Sequence, residues 1–174
     1  GLDVEYYNIG RVRTSELYTG SPIKAALHDL NENGYGVHFQ ISIQDTQTYK
    51  LKIGNQSSVH QFGERLDLPY GKLIFTLQTK EIPSVNAFDV VFREPKDAAA
   101  GYVGSLGVSS VDNRSSVLEL TFRSPTPQKG IDILDKIVTV YNETNIEDKN
   151  SVGKNTIQFI DDRLKYLTRE LSDV

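Results

Sequence analysis

The stretch "VHFQISI", Val37 to Ile43, sets Val37, Phe39, Ile41 and Ile43 against His38, Gln40 and Ser42. Side chains of a strand point alternately to its two faces, so this run specifies a strand with one face buried and one exposed. The pattern repeats in "TYKLKIG", where Tyr49, Leu51 and Ile53 share a side. The intervening "QDTQ" suits a short hairpin connection. "SVHQFGERLDLPYGKLIFTLQTK" predicts two more strands on either side of a turn at Pro69, Tyr70 and Gly71, and "AFDVVFRE" alternates Phe88, Val90 and Phe92. About five short strands over Val37 to Phe92 therefore predict a β-rich lobe, a meander or partial sandwich.

The flanks read differently. Tyr6 to Arg13 is a strand candidate. In "TGSPIKAALHDL", Ser21 can cap, Pro22 fits a first helical position, and Ile23, Ala26, Leu27 and Leu30 mark one side. That combination predicts a short helix or helical turn. "EPKDAAAGYVGSL" predicts a helix opening at Pro95, favoured by three alanines and weakened by Gly101, Gly104 and Gly107. A strand, a turn at Asp112 and Asn113, and a second strand over Val117 to Phe122 come next. A helix then follows, with Ile131, Leu134, Ile137, Val138 and Tyr141 as its expected buried face. "EDKNSVGK" is expected to interrupt or bend it, and a closing helix to begin near Asn150 or Ser151. Strands and helices are segregated rather than alternating, so the class is α+β. The expectation is a small mixed sheet packed with helices, a β-rich insertion and a long C-terminal helix. All of it belongs to one domain spanning 1–174, with the β lobe at about 37–92 and the helical part at about 127–174.

Charge and motifs exclude several kinds of function. A net charge of −4 is wrong for a nucleic-acid partner, which needs a basic face. The absence of Cys removes disulfide frameworks and thiolate metal sites. His28, His38 and His60 lack the spacing of a ligand set, and His38 and His60 read as ordinary strand positions. "GYVGSLG" is neither a dinucleotide fingerprint nor a nucleophile elbow; it reads as a turn. Asp161 and Asp162 diverge by about 100° on a helix and cannot face one site. Their expected role is solvation, with Asp161 near Lys165 and Asp162 near Tyr166. Tyr6, Tyr7, Tyr18, Tyr35, Tyr49 and Tyr70 crowd the strand-rich part, where Tyr favours half-buried positions; sugar stacking is the functional alternative. No catalytic residue, cofactor or metal is expected.

The closing segment "NTIQFIDDRLKYLTRELSDV" repeats Ile157, Ile160, Leu164, Leu167, Leu171 and Val174 at steps of three and four. That is one helical face, and no Gly, Asn or Pro follows to stop it. The expectation is a helix that runs on in a longer protein. Gly1 ahead of "LDVEYY", with no Met anywhere, agrees with an internal piece whose first residue is left by tag cleavage. No run of about 20 apolar residues is present, as a membrane-spanning helix would need.

The segment "SSVLELTFRSPTPQKGIDILDKIVTVYNE", with "NTIQFIDDRLKYLTREL" after it, resembles the periplasmic part of polysaccharide co-polymerases. That family includes the Wzc-type tyrosine autokinases of exopolysaccharide and capsule export and the Wzz-type O-antigen chain-length determinants. The parts that match are Ser124 and Pro125 after a strand, the helix from Lys129 through Tyr141, and the later helix with Phe159, Ile160, Arg163, Leu164, Glu170 and Leu171. "HQFGERLDLPYGKLIFTLQ" is similar to a stretch of Bacteroides-type members, and "SPIKAAL" to the segment after their first transmembrane helix. The resemblance implies a periplasmic domain between two transmembrane helices of an inner-membrane protein. It implies homo-oligomers, and polymerase or export machinery as partners with the polysaccharide itself a possible one. It also implies control of chain length or export, with any tyrosine kinase outside this piece. No "GxxxxGK[ST]" motif occurs here.

The expected function is thus non-enzymatic assembly, with Ile160, Arg163, Leu164, Leu167, Arg169 and Leu171 as the oligomer interface. The alternative is a carbohydrate-binding or adhesin-like β module of a cell-envelope protein, working through Val37 to Phe92.

Overall fold

The computed structural model describes residues 3–10, 14–112 and 116–172, with side chains of the last helix described to residue 169. In chain order the elements are β1 (Val4–Ile9), β2 (Thr14–Glu16), β3 (Ile23–Leu30), a 3-10 turn (Glu32–Gly34), β4 (His38–Ile43), β5 (Thr48–Ile53) and β6 (Gln56–Gln61). There follow β7 (Arg65–Leu68), β8 (Gly71–Leu77), β9 (Ala87–Phe92), α1 (Pro95–Val103), β10 (Leu106–Ser110), β11 (Leu118–Phe122) and α2 (Pro127–Ser172). The class is α+β, as the segregated pattern predicts. The chain divides into two compact units, Gly1–Gln128 and Lys129–Val174.

Within the first unit, six strands form one sheet in the order β2-β1-β9-β4-β5-β6 and three form a second, β3-β8-β7. Every pairing described in them is antiparallel. The sheet draws β1 and β2 from ahead of the 37–92 block and sets β9 in its middle, between β1 and β4. The two sheets bury one common core, and the alternation in the sequence supplies it: Phe39, Ile41, Ile43, Tyr49, Leu51, Phe88 and Val90 from one side, Ile23, Leu66, Leu73 and Phe75 from the other. Phe39 meets Phe75 at 6.3 Å across the sheets and stands edge-on to Phe92 at 5.7 Å and to Tyr70 at 6.1 Å. Such tilted and T-shaped pairs suit the aromatic quadrupole. The hydroxyl of Tyr6 accepts a hydrogen bond from the Ala25 amide at 3.0 Å, tying β1 to β3.

The "QDTQ" hairpin forms as expected, joining β4 to β5. Its Asp45 carboxylate accepts from the amides of Gln47 and Thr48 at 2.7 and 2.6 Å and from the Thr48 hydroxyl at 2.7 Å. Those donors favour the ionised form and hold Asp45 below the usual carboxylate range. The Pro69–Tyr70 turn between β7 and β8 also forms, with Gly71 at φ 140. A Cβ at Gly71 would lie 1.9 Å from the Asp29 carbonyl oxygen, so only glycine fits. The segment after the β4–β5 hairpin holds three strands, β6, β7 and β8, where the sequence predicted two.

Two expectations are overturned. The segment opened by Ser21 is strand β3, not a helix. Its residues hold a second pattern, with Ile23 and Ala25 buried at alternate positions while Leu27 is 41% exposed. Pairing with β8 from Ile23↔Leu77 to Leu30↔Gly71 satisfies its backbone, and long-range pairing overrides a weak local helix propensity. Ser21 forms a local turn instead, its hydroxyl donating to the Ile23 carbonyl at 2.7 Å and accepting from the Ile23 amide at 3.3 Å. The second correction is α2, which runs unbroken through "EDKNSVGK" for 46 residues. That stretch contains no Pro, and one Gly costs an existing helix only about 1 kcal/mol.

Helix α1 opens at Pro95 as predicted and ends at the Gly104 cap. Strands β10 and β11 pair from Leu106↔Phe122 to Ser110↔Leu118. The Tyr102 ring of α1 lies 6.1 Å from Phe122. Arg11 to Arg13 of the first strand candidate, and Asn113 of the predicted turn, lie outside the described residues.

Candidate functional site

Two surfaces carry features that the fold alone does not require. The first is the distal part of α2. Because the helix is continuous, about 100° per residue fixes where each side chain sits. Ile157, Ile160, Leu164 and Leu167 fall within an arc of roughly 80°, and position 171 lies inside the same arc. Their exposures are 64%, 50%, 56% and 41%. The side chain of Leu171 lies outside the described residues. Arg163 flanks the stripe, its guanidinium carbon 5.6 Å from the centre of the Tyr166 ring. Arg169 is set apart from the other interface candidates, roughly 160° from the stripe's centre. The structure thus places Ile160, Leu164 and Leu167 together with Arg163 at their margin, and leaves Arg169 on the far side.

The polar side of this segment is solvated, as expected. Lys165 pairs with Asp162 at 3.5 Å, where the sequence suggested Asp161 as its neighbour. Both members are well exposed, so the pair contributes little. Nearer the start of α2, the expected buried face is covered only in part: Leu134 and Ile137 are half-buried, while Val138 is exposed. Ile131 is 52% exposed and Tyr141 65%, whereas Ile133 is 5% exposed. Between Tyr141 and Ile157 the apolar stripe moves by about 100° around the helix, so the two halves present different faces. "EDKNSVGK" marks that change of face rather than a break.

The second surface lies at one edge of the sandwich. A groove of about 410 Å³ is lined by Leu51, Ile53, Gln56, Ser57, Ser58 and Leu68. Beside it the Ser58 hydroxyl lies 2.7 Å from His60 Nε2, and His60 Nδ1 lies 3.6 Å from Glu64 Oε2. Glu64 is held in turn by the Gln61 amide, which donates to its Oε2 at 3.1 Å. Sequence reading passed over this group, although Ser58 and His60, two apart on a strand, necessarily share a face. The contact has the order of a nucleophile and a base. The second nitrogen of the base, however, is beyond hydrogen-bond reach of the carboxylate, and the hydroxyl is open to water. Those dimensions leave Ser58, His60 and Glu64 without a continuous hydrogen-bonded chain of hydroxyl, imidazole and carboxylate.

The remaining candidates are structural. His28 lies on β3, at the register shift between Leu27 and Asp29. His38 Nδ1 meets Asp89 Oδ2 at 2.5 Å on the outer side of the large sheet. Among the described residues no group of three or more His, Cys, Asp or Glu could hold a metal ion. Tyr49 is fully buried, and Tyr6, Tyr7, Tyr18, Tyr35 and Tyr70 are half-buried. Tyr7 donates to Glu5 at 2.9 Å, which Arg93 also engages at 2.9 Å. Burial, and then the Glu5 carboxylate, push the Tyr7 phenol up to about 12. Burial drives Tyr49 above the usual phenol range, with a smaller push from Glu64.

No protein-family model matches the chain, and no curated protein matches it. Among the described residues no helix is long and apolar enough to cross a membrane.

Proposed function

We propose that this chain is a periplasmic assembly domain of an inner-membrane polysaccharide co-polymerase, in which copies pack side by side and set polymer length or couple it to export. The observation that carries this reading is the exposed stripe of Ile157, Ile160, Leu164 and Leu167 on a continuous helix. It is supported by the order of parts that the resemblance implies: a strand ending at Phe122, then Ser124 and Pro125, then a helix carrying Tyr141, Phe159, Ile160 and Leu164. The proposed partners are further copies of the chain and the polymerase or export machinery. Any tyrosine kinase activity would belong to another part of the full protein.

Magnitudes favour assembly of tethered copies over tight association of free ones. Fully burying a Leu or Ile side chain contributes about 1.5–3 kcal/mol. These four are already about half covered, so the stripe offers roughly 4 kcal/mol, which corresponds to millimolar affinity. Tethering to one membrane raises the effective concentration into that range.

The test is made in the full-length protein. Ile160→Asp and Leu164→Asp are expected to broaden the polysaccharide length distribution on a gel and to abolish cross-linking between neighbouring copies. Membrane insertion and the folded β unit should be unchanged. An unaltered length distribution with cross-linking lost would separate the stripe from chain-length control and overturn the proposal.

A second reading, a carbohydrate-binding module, draws on the groove beside Ser58. It predicts saturable binding of oligosaccharides, followed by Tyr fluorescence because the chain has no Trp. The groove offers Ser and Gln hydrogen-bonding groups but no aromatic platform, which makes it the weaker reading.

A further inference from the structure

Residues directly opposite one another on neighbouring strands point to the same face. Lys50 on β5 stands opposite Ser42 on β4 and Val59 on β6, and Lys52 stands opposite Gln40 and Ser57. Their neighbours in the strand, Tyr49 and Leu51, point into the core, so both lysines stand on the outer face of the six-stranded sheet. Both are exposed, as are Ser57 and Val59.

Charge is unevenly compensated across that face. Following the register through β4, β9, β1 and β2 adds the carboxylates of Asp89, Glu5 and Glu16. Asp89 is paired with His38, and Glu5 is engaged by Arg93 and Tyr7. Glu16 lies on β2, four strand spacings from β5, about 19 Å, against a physiological screening length of about 8 Å. Among the described residues no ion pair engages Lys50 or Lys52. The half of the face built by β4, β5 and β6 thus presents two uncompensated cations in a chain whose net charge is −4. The smaller sheet differs: Lys72 on β8 stands between Asp67 of β7 and Asp29 of β3.

We propose that this half-face binds an acidic polysaccharide, a polymer with carboxylates on its sugar rings, and that Lys50 and Lys52 are its anion-binding groups. The two side chains leave the same strand two residues apart, about 7 Å, and their flexible stems can meet charges repeated along an extended polymer. Each cation has a neutral hydrogen-bonding neighbour one strand spacing away, about 4.8 Å: Ser42 beside Lys50, Gln40 and Ser57 beside Lys52. Those groups match sugar hydroxyls, which both donate and accept. Val59, 59% exposed beside Lys50, offers an apolar spot for the C–H side of a sugar ring. An anionic lipid surface fits less well. Val59 is the one large apolar side chain among the described residues of this half-face, and no aromatic stands there to anchor in a bilayer. The inference rests on the polysaccharide reading for the nature of the ligand, and not on assembly through α2.

The test is affinity electrophoresis of the chain in gels containing polygalacturonate, at about 0.1 M salt, where the screening length is about 10 Å. Wild type should be retarded, and the retardation should vanish at about 1 M salt, where that length falls to about 3 Å. Lys50→Gln combined with Lys52→Gln should weaken the apparent affinity at least about tenfold, whereas Lys50→Arg with Lys52→Arg should hold it within about threefold, because the charges remain. Lys24→Gln with Lys72→Gln makes the same change in net charge on the smaller sheet and should bind like wild type. All four lysines are exposed, so circular dichroism should be unchanged in every variant. Ile160→Asp with Leu164→Asp should also bind like wild type, so failure of the assembly reading and failure of this one are read separately. Neutral dextran should retard none of them. A wild type that is not retarded, equal losses in the two Lys→Gln pairs, equal retardation by dextran, or binding to phosphatidylglycerol vesicles without binding to polygalacturonate would each overturn the proposal.

Discussion

Phe39 is fully buried and makes ring contacts with Tyr70, Phe75 and Phe92, so Phe39→Ala should cost about 3–5 kcal/mol in urea unfolding. Gly71→Ala acts through the backbone. Its Cβ would collide with the Asp29 carbonyl, and a loss of about 1–3 kcal/mol or more is expected by the same measurement. The tyrosines give a pH dependence. Tyr6, Tyr7 and Tyr49 have folded-state pKa values raised above the ordinary 10.0, chiefly by burial. The unfolded chain therefore binds fewer protons than the folded one at high pH. Their stabilisation is fully present below about pH 10 and is lost as pH rises through the folded values. Absorbance at 295 nm should show a late group of phenols that ionises only as the β unit unfolds. A single normal titration in a still-folded protein would contradict the burial of Tyr49. Phe39 was legible as core from alternation alone. The unique need for Gly71 was not, because it comes from Asp29, a residue distant along the chain.

At the scale of elements, β4, β5, β9, α1 and β11 lie where the sequence put them, since each carries a clear period or a start signal. Segment 23–30 shows the limit of that reading. Ile23, Ala25 and Leu27 alternate, while Ile23, Ala26, Leu27 and Leu30 follow a helical step, so one sequence fits both periods. The availability of β8 decided between them. In α2 the misreading was of strength: polar residues with one Gly weaken a helix without ending it. Gly153 has open space around its Cβ position. Gly153→Ala should therefore raise the helical signal at 222 nm and stabilise the helix by up to about 1 kcal/mol. A fall would mean that the helix bends at this point. The apolar stripe of the distal helix was legible from its three–four spacing. The separation of Arg169 from it could have been computed from the same angles.

Across the whole molecule, protection is expected to follow burial. Amides of β4, β5 and β9, beside the shared core, should exchange slowest with deuterium, while those of 146–169 in α2, whose side chains are exposed, should exchange within the fast class. Slow exchange throughout that helical segment in the isolated chain would show that its stripe is already covered. The sequence by itself determined the α+β class, the inward residues of the alternating strands and the apolar stripe of the last helix, because each depends on a local period that the backbone geometry turns into a face. Only the tertiary structure decided that residues 23–30 extend and that β9 joins β1 to β4. Those outcomes depend on which distant strand is free to take a given set of hydrogen bonds, and a local pattern carries no record of that.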